Sequence, residues 1–391
     1  MLKKKLLSLA SLLGFMSLLW AGNLTVKVYN PGSKAIFSVT STIIYGDKDA
    51  ILVDAQFQKQ YAEQLVKEIK ATGKNLTTVF ISHSDPDFYF GLDVIKKAFP
   101  KARIISTAQT AYLIAASKDD KLGVWKPQLK DDAPSEVIIP EATTTIPSLE
   151  GNTIEIKQNM DDPAHSFLWI PSIKTIVGGI SVSTDSHLWM ADTQNLKAID
   201  QWIGQIDRMK SLKPQQVIPS HFAKQSLSPQ SLDFVKNYLE DYKKAVTENK
   251  ATSSIVESMV KKYPDIPGKE ELEMGVKVFL GEMDWDLRSP YPAIGRKVEV
   301  EFGSVKFILD FKDNKTMTFI GAAGSSKNTT DTVEYTAVEV AKNVFMVYWH
   351  EPHLGFNVSQ IQDYNKNIVY SNIADSKGTF THRKGTLTIV K

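Results

Sequence analysis

The chain has 391 residues, 42% of them hydrophobic, a formal net charge of +2 and no cysteine. That length supports two or three structural units, and the near-neutral balance argues against nucleic-acid binding through bulk charge. The lack of thiols excludes disulfides, thiolate metal ligands and a cysteine nucleophile, so any metal must be held by His, carboxylate, backbone or water.

Residues 1–22 read Met1-Leu2-Lys3-Lys4-Lys5, then an apolar run from Leu6 to Trp20, then Ala21-Gly22. This is the basic, apolar and small-residue order of a secretory signal. It predicts a periplasmic or secreted protein with no stable membrane span after cleavage, because no later stretch approaches the ~20 apolar residues that a span needs.

From Thr25 to Ala55, short β-branched runs alternate with Pro31-Gly32 and Gly46-Asp47, which predicts successive strands joined by tight turns. Tyr61, Leu65, Val66 and Ile69 stand at helical spacing over 58–72, and Leu76 to Ser82 reads as the strand that delivers the chain into His83. A second strand series covers 153–156, 166–170 and 174–177, followed by a helix over 195–211 and a strand over 215–218. Residues 228–283 read as helices broken by Pro264 and Pro267. Beyond Pro290 and Pro292, about eight alternating segments predict a small antiparallel barrel or sandwich. The expected organisation is a signal over 1–22, an α/β domain over 23–225, a helical extension over 226–289 and a β-barrel over 290–391.

The chemistry concentrates in Ser82-His83-Ser84-Asp85-Pro86-Asp87-Phe88-Tyr89-Phe90-Gly91. Alternate spacing lets His83 and Asp85 converge on one point beyond a strand end, and Pro86 stiffens the turn between the carboxylates. His165 and His221 each stand at the edge of an expected strand. One such histidine is more often structural, but together with the loop they favour a shared site.

The order of these residues resembles the metallo-β-lactamase superfamily. Its pattern is His-x-His-x-Asp-His, a distant His, a Gly-Asp carrying a bridging carboxylate, and a closing His. His83, Asp87, His165 and His221 match, and Asp54 resembles the supporting aspartate at an early strand end. Asp85 replaces the second His, Phe88 replaces the last His of the motif, and Gly178-Gly179 stands where Gly-Asp is expected. The resemblance implies an αββα-layered α/β fold and at most one divalent ion, held by His83, Asp85 and His165. Zinc is the first choice, with iron or manganese as alternatives and a metal-free polar cluster as the competing outcome. Asp87 and His221 would orient the bound water or take its proton, and His187 and Trp189 would line the pocket.

Residues 293–391 resemble the MoaF-type, lipocalin-like (calycin-like) barrel through segments such as Asp331-Thr332-Val333-Glu334-Tyr335 and Tyr348-Trp349. Trp349, Tyr335, Phe345 and Phe356 are expected to fill the barrel rather than line a cavity. His350, Glu351 and His353 read as an exposed hairpin loop rather than a metal cluster. The functional expectation is metal-assisted hydrolysis of a small ester, lactone or amide, with an envelope protein that binds a small ligand or a partner as the alternative. The helices over 228–283 serve equally as a homodimer element or as cover for the domain's own flank.

Overall fold

The computed structural model describes residues 23–159, 162–222, 226–285 and 287–390. The signal expected over 1–22 lies outside them, and among the described residues no helix is long and apolar enough to cross a membrane.

The first sheet runs β1 (Thr25–Tyr29), β2 (Ser41–Tyr45), β3 (Asp49–Val53), β4 (Asn75–Ile81), β5 (Arg103–Ser106) and β6 (Glu141–Ala142), in that spatial order. The first two pairings are antiparallel and the rest parallel. The β3-to-β4 crossover is α1 (Lys59–Ala71), which buries Ala62, Leu65, Val66 and Ile69, the last three at the spacing that predicts a helix. After β4 come α2 (Pro86–Tyr89), with proline at its first turn, and α3 (Leu92–Ala98).

The second sheet is built from β7 (Glu155–Asn159), β8 (Asp162–Ile170), β9 (Thr175–Val177) and β11 (Gln216–Val217), while β10 (Ser183–Thr184) pairs with β12 (His221–Phe222). Strand alternation produces the layering. Ile43, Leu52 and Val79 pack beneath the helices of the first sheet. Their strand neighbours Ile44, Ile51 and Phe80 meet Leu168, Ile170 and Val177 of the second sheet. On its outer face the second sheet is covered by α5 (Leu196–Ser211), α6 (Gln230–Glu248), α7 (Thr252–Lys262) and α8 (Lys269–Phe279), where Tyr238, Leu239 and Tyr242 are fully buried. The helical segment therefore completes the fourth layer of the domain, one of the two roles left open for it.

One long element carries no sequence forecast: α4 (Ala108–Leu129), between β5 and β6. Its buried residues form a block, Gln109 to Ile114, instead of a stripe at helical spacing. The block is explained by what the N-terminal half of the helix touches, since Tyr112 and Leu113 belong to the core of the C-terminal barrel.

That barrel has eight strands, as the segment count predicts: β13 (Lys297–Phe302), β14 (Val305–Phe311), β15 (Thr316–Ala323), β16 (Thr330–Ala341), β17 (Val344–Glu351), β18 (Phe356–Asp363), β19 (Ile368–Ala374) and β20 (Phe380–Val390). Antiparallel pairing of β13 with β20 closes it and removes the sheet edges. Tyr335, Phe345 and Trp349 are packed in its core with Phe356 against them. His350 bonds Asn357, Glu351 accepts from the Trp349 indole, and His353 pairs with Asp331, so these three side chains serve separate local contacts.

Candidate functional site

The site stands at the carboxyl ends of β3 and β4, the usual place for chemistry in an open α/β sheet. Asp54 and Gln56, just past β3, adopt left-handed backbone at φ 64° and 76°. This strained turn is pinned because the Gln56 side-chain amide donates to the Val39 carbonyl at 3.0 Å and to Ser41 Oγ at 2.8 Å. It directs the buried Asp54 carboxylate at Ser82, which donates its backbone N–H at 2.8 Å and its hydroxyl at 2.7 Å. Ser82 Oγ in turn accepts from the Gly179 N–H at 2.7 Å. Asp54 is thus a support that ties two strand ends together beneath the motif.

Burial pushes the Asp54 carboxyl up to about 8, against the two Ser82 hydrogen bonds that favour its charged form. A raised folded-state value means that the native protein keeps a proton the unfolded chain has released. The stabilisation is present below pH ~4 and is lost as pH rises through about 8. The wild type should therefore lose on the order of 1 kcal/mol more than Asp54→Asn between pH 6.5 and 8, read from urea midpoints. His83 and Asp192, which titrate at about 4 and about 6, lie below that window, and His165 cancels in the difference. Identical pH slopes in the two proteins would refute this role for Asp54.

Above this support the expected site residues gather in two groups. In the first, the Asp85 N–H donates to His83 Nδ1 at 3.2 Å, and Asp85 Oδ2 lies 3.4 Å from the same nitrogen. The His165 ring stacks near that of His83, with centroids 5.8 Å apart. Asp162 holds His165 Nδ1 with both oxygens, at 2.6 and 2.7 Å. In the second group, His221 Nε2 bonds Asp87 Oδ2 at 2.7 Å. Phe88, fully buried, lies between the groups with its ring 5.3 Å from His83 and 5.7 Å from His221.

Charges follow from these contacts. Burial, opposed by the Asp85 carboxylate, pushes His83 down to about 4 and leaves it neutral. Burial works against the charge on Asp85, but the Lys121 ammonium beside it holds its carboxyl down at about 2. For His165, burial is outweighed by the Asp162 carboxylate, and its value is raised. Burial and the nearby Asp85 charge push Asp192 up to about 6.

Four contributors carry no forecast from the sequence. Lys121, on α4, donates to Asp85 Oδ1 at 3.1 Å and to the Ser84 carbonyl at 2.7 Å. Asp192 accepts from the Trp189 indole at 2.9 Å and from the Trp285 indole at 2.7 Å. Asp162 orients His165. Asp162 and Asp192 sit beside singled-out residues, three positions from His165 and from Trp189, and the carboxylate partner that a working histidine or a buried indole requires would have pointed to them. Lys121 and Trp285 have no local signal. The His187 ring is buried and bonds the Tyr238 hydroxyl at 2.9 Å, in the helical layer. Trp189 bonds Asp192, whose carboxyl feels the Asp85 charge.

Do these side chains suit the divalent ion that the resemblance implies? The donor chemistry is suitable, with a neutral His83, an ionised Asp85 and a carboxylate-oriented His165. The arrangement is not. Among the described residues no three His, Asp or Glu side chains are grouped to hold one ion. Asp85 Oδ1 is engaged by an ammonium, His221 Nε2 by Asp87, and Phe88 occupies the space between the groups. As placed, the residues do not fit a metal: His83, Asp85 and His165 are not grouped to hold an ion, and the Asp85 carboxylate pairs with the Lys121 ammonium.

Residues 36–166 match the metallo-beta-lactamase superfamily model and residues 294–388 match the MoaF-like model. No curated protein matches the chain. Similar solved structures include a metallo-beta-lactamase from Pontibacter korlensis, at 19% identity over 56% of this chain and 100% of that one, TM-score 0.39. A metallo-beta-lactamase family protein from Thermus thermophilus has 12% identity over 69% and 95%, TM-score 0.46. A metallo-beta-lactamase from Hirschia baltica has 14% identity over 55% and 92%, TM-score 0.37. The chain thus joins a layered α/β domain, part of which matches the metallo-beta-lactamase superfamily model, to an eight-stranded barrel that matches the MoaF-like model.

Proposed function

We propose that this is an exported protein that binds a small polar ligand at the strand tips of a hydrolase fold, without a resident metal ion. One observation carries the reading: the site contains its own cation. Lys121 neutralises Asp85 and caps the Ser84 carbonyl, so the charge that a divalent ion would supply at the motif is already present. His165 stands beside it with a side chain 34% exposed, and the Asp162 carboxylate outweighs burial to raise its value. The basic and apolar order of residues 1–22 supports export.

The competing reading, hydrolysis of a small ester, lactone or amide at one ion held by His83, Asp85 and His165, is supported by the spacing of the first two. His83 Nδ1 and Asp85 Oδ2 are 3.4 Å apart, near the edge of a tetrahedron with bonds of ~2.0–2.1 Å. Elemental analysis of protein purified with zinc, iron or manganese supplied separates the two. The expected result is far less than one ion per chain, unchanged in His83→Ala and His165→Ala. A stoichiometric ion that both variants lose would replace the binding reading with the hydrolase one.

A further inference from the structure

We propose that Trp189, Trp285 and Asp192 form a receptor for a small organic cation of the methylated-ammonium type beside the strand tips. The inference rests on the binding reading above and names the class of its ligand.

Asp85 is matched by the Lys121 ammonium, Asp162 by the His165 ring and Asp87 by His221. Asp54, beneath them, keeps its proton up to about pH 8. Asp192 differs from all of these. Its two oxygens accept from the indole N–H groups of Trp189 and Trp285, at 2.9 and 2.7 Å, and among the described residues no basic side chain pairs with it. Two neutral donors ease the burial of a carboxylate but do not cancel its charge. Lys121 acts on Asp192 only at longer range, and burial with the Asp85 charge pushes its value up to about 6. Above that pH it carries the unmatched negative charge of the cluster.

The same hydrogen bonds decide what the indoles show to water. With both N–H groups turned onto Asp192, the exposed part of each half-buried ring is hydrocarbon. The ring centroids are 5.5 Å apart and the planes are inclined at 70°, which sets two aromatic walls at a corner. Both walls are fixed. Trp189 lies between the fully buried Leu188 and Met190, and the Trp285 carbonyl accepts from the Gln194 side-chain amide at 3.1 Å. The Asp192 charge bears on His165 and the Asp85 charge on Asp192, so this corner adjoins the strand-tip cluster.

Such a corner selects its ligand by charge and by hydration. An anion is repelled by the unmatched carboxylate. A bare ammonium is compact and strongly hydrated, and it gives up water poorly for hydrocarbon walls. A methylated ammonium spreads its charge over methyl groups and is attracted by indole faces and a carboxylate together.

The test uses the full mature protein in titration calorimetry at constant ionic strength. The probes are choline and its uncharged isostere, in which a tert-butyl group replaces the trimethylammonium. Choline should bind tighter than the isostere by ~10-fold or more. Trp285→Leu and Asp192→Asn, each checked for native circular dichroism, should weaken choline by ~10-fold or more, and Trp285→Phe, which keeps an aromatic face, by less. Should Asp192→Asn fail to fold, the comparison of choline with the isostere and the two Trp285 variants decide. A wild type that does not bind choline, equal affinity for choline and the isostere, or folded Trp285→Leu that binds choline unchanged each overturn the inference. The metal-free binding reading then still stands, because it falls only to a stoichiometric ion in elemental analysis. Where choline binds as expected, phosphatidylcholine vesicles that displace it identify a lipid headgroup as its source, and vesicles without effect identify a free solute.

Discussion

Tyr291→Ala is expected to destabilise the protein by about 3–5 kcal/mol, as for other buried aromatic truncations. Tyr291 precedes the first barrel strand and is fully buried in the barrel core. Its ring lies 4.9 Å from Phe345, 5.5 Å from Phe311 and 6.1 Å from Tyr112 of α4, and its hydroxyl donates to Gln362 at 2.8 Å. One residue thus joins the barrel, the connecting segment and the helix that bears Lys121. Tyr291→Phe should cost only about 1 kcal/mol, because Tyr364 also donates to the Gln362 oxygen and leaves it partnered. Chemical denaturation followed by near-ultraviolet circular dichroism compares the two. A chain with two cores can unfold in steps, and in that case the loss belongs to the barrel transition. An alanine variant no less stable than the phenylalanine variant would refute the packing role.

The second large effect concerns Gly179, which stands where the superfamily places its bridging aspartate. An aspartate at 179 would meet the expectation drawn from that resemblance, but the fold forbids it. Gly179 has φ +78°, and a Cβ there would lie 2.3 Å from the Ser166 carbonyl oxygen, a main-chain atom that cannot rotate aside. Gly179→Asp or Gly179→Ala should therefore lose about 3–5 kcal/mol, combining left-handed strain with overpacking. Gly178 separates the two causes. It has nearly the same φ, +77°, but a Cβ there would meet the Ser82 and Val53 side chains at 3.0 and 3.1 Å. Gly178→Ala should thus be the milder change in thermal and urea unfolding, and equal losses at the two positions would sink the argument from the Ser166 carbonyl. The departure at position 179 is then a property of the backbone path and not only of a lost ligand.

Phe88 is as buried as any core residue, and its ring separates the two halves of the motif. Lys121 supplies charge in one half, and the Asp87–His221 pair satisfies itself in the other. The polar groups of each half are thus partnered with one another within the partly buried site. Asp54 and Ser82 hold the strand ends beneath this cluster whatever occupies it.

The local sequence by itself determined the elements whose burial follows a strand or helix period. These are α1, the three helices of the extension and the barrel strands, because alternation and helical spacing state which face must leave water, whereas the first strands of the first sheet are marked by their β-branched runs between turn residues. It also pointed to His83, Asp85, Asp87, His165 and His221 as residues of one region, because each stands on or near an expected strand boundary. Only the tertiary structure decided what that edge holds. Helix α4 escaped a periodic reading because it is covered from two sides: Tyr112 and Leu113 enter the barrel core, Ile114 and Leu129 the core of the first sheet, and Gln109 bonds Tyr291, 182 residues further on. Lys121 and Trp285 carry no local mark because their meaning depends on partners 36 and 93 residues away. His187 had the right neighbours in sequence but turned toward Tyr238, where burying a ring with a hydrogen bond outweighs lining an open rim. Spacing can say which side chains reach a common region, but the balance of charge there depends on which distant cation the fold delivers to it.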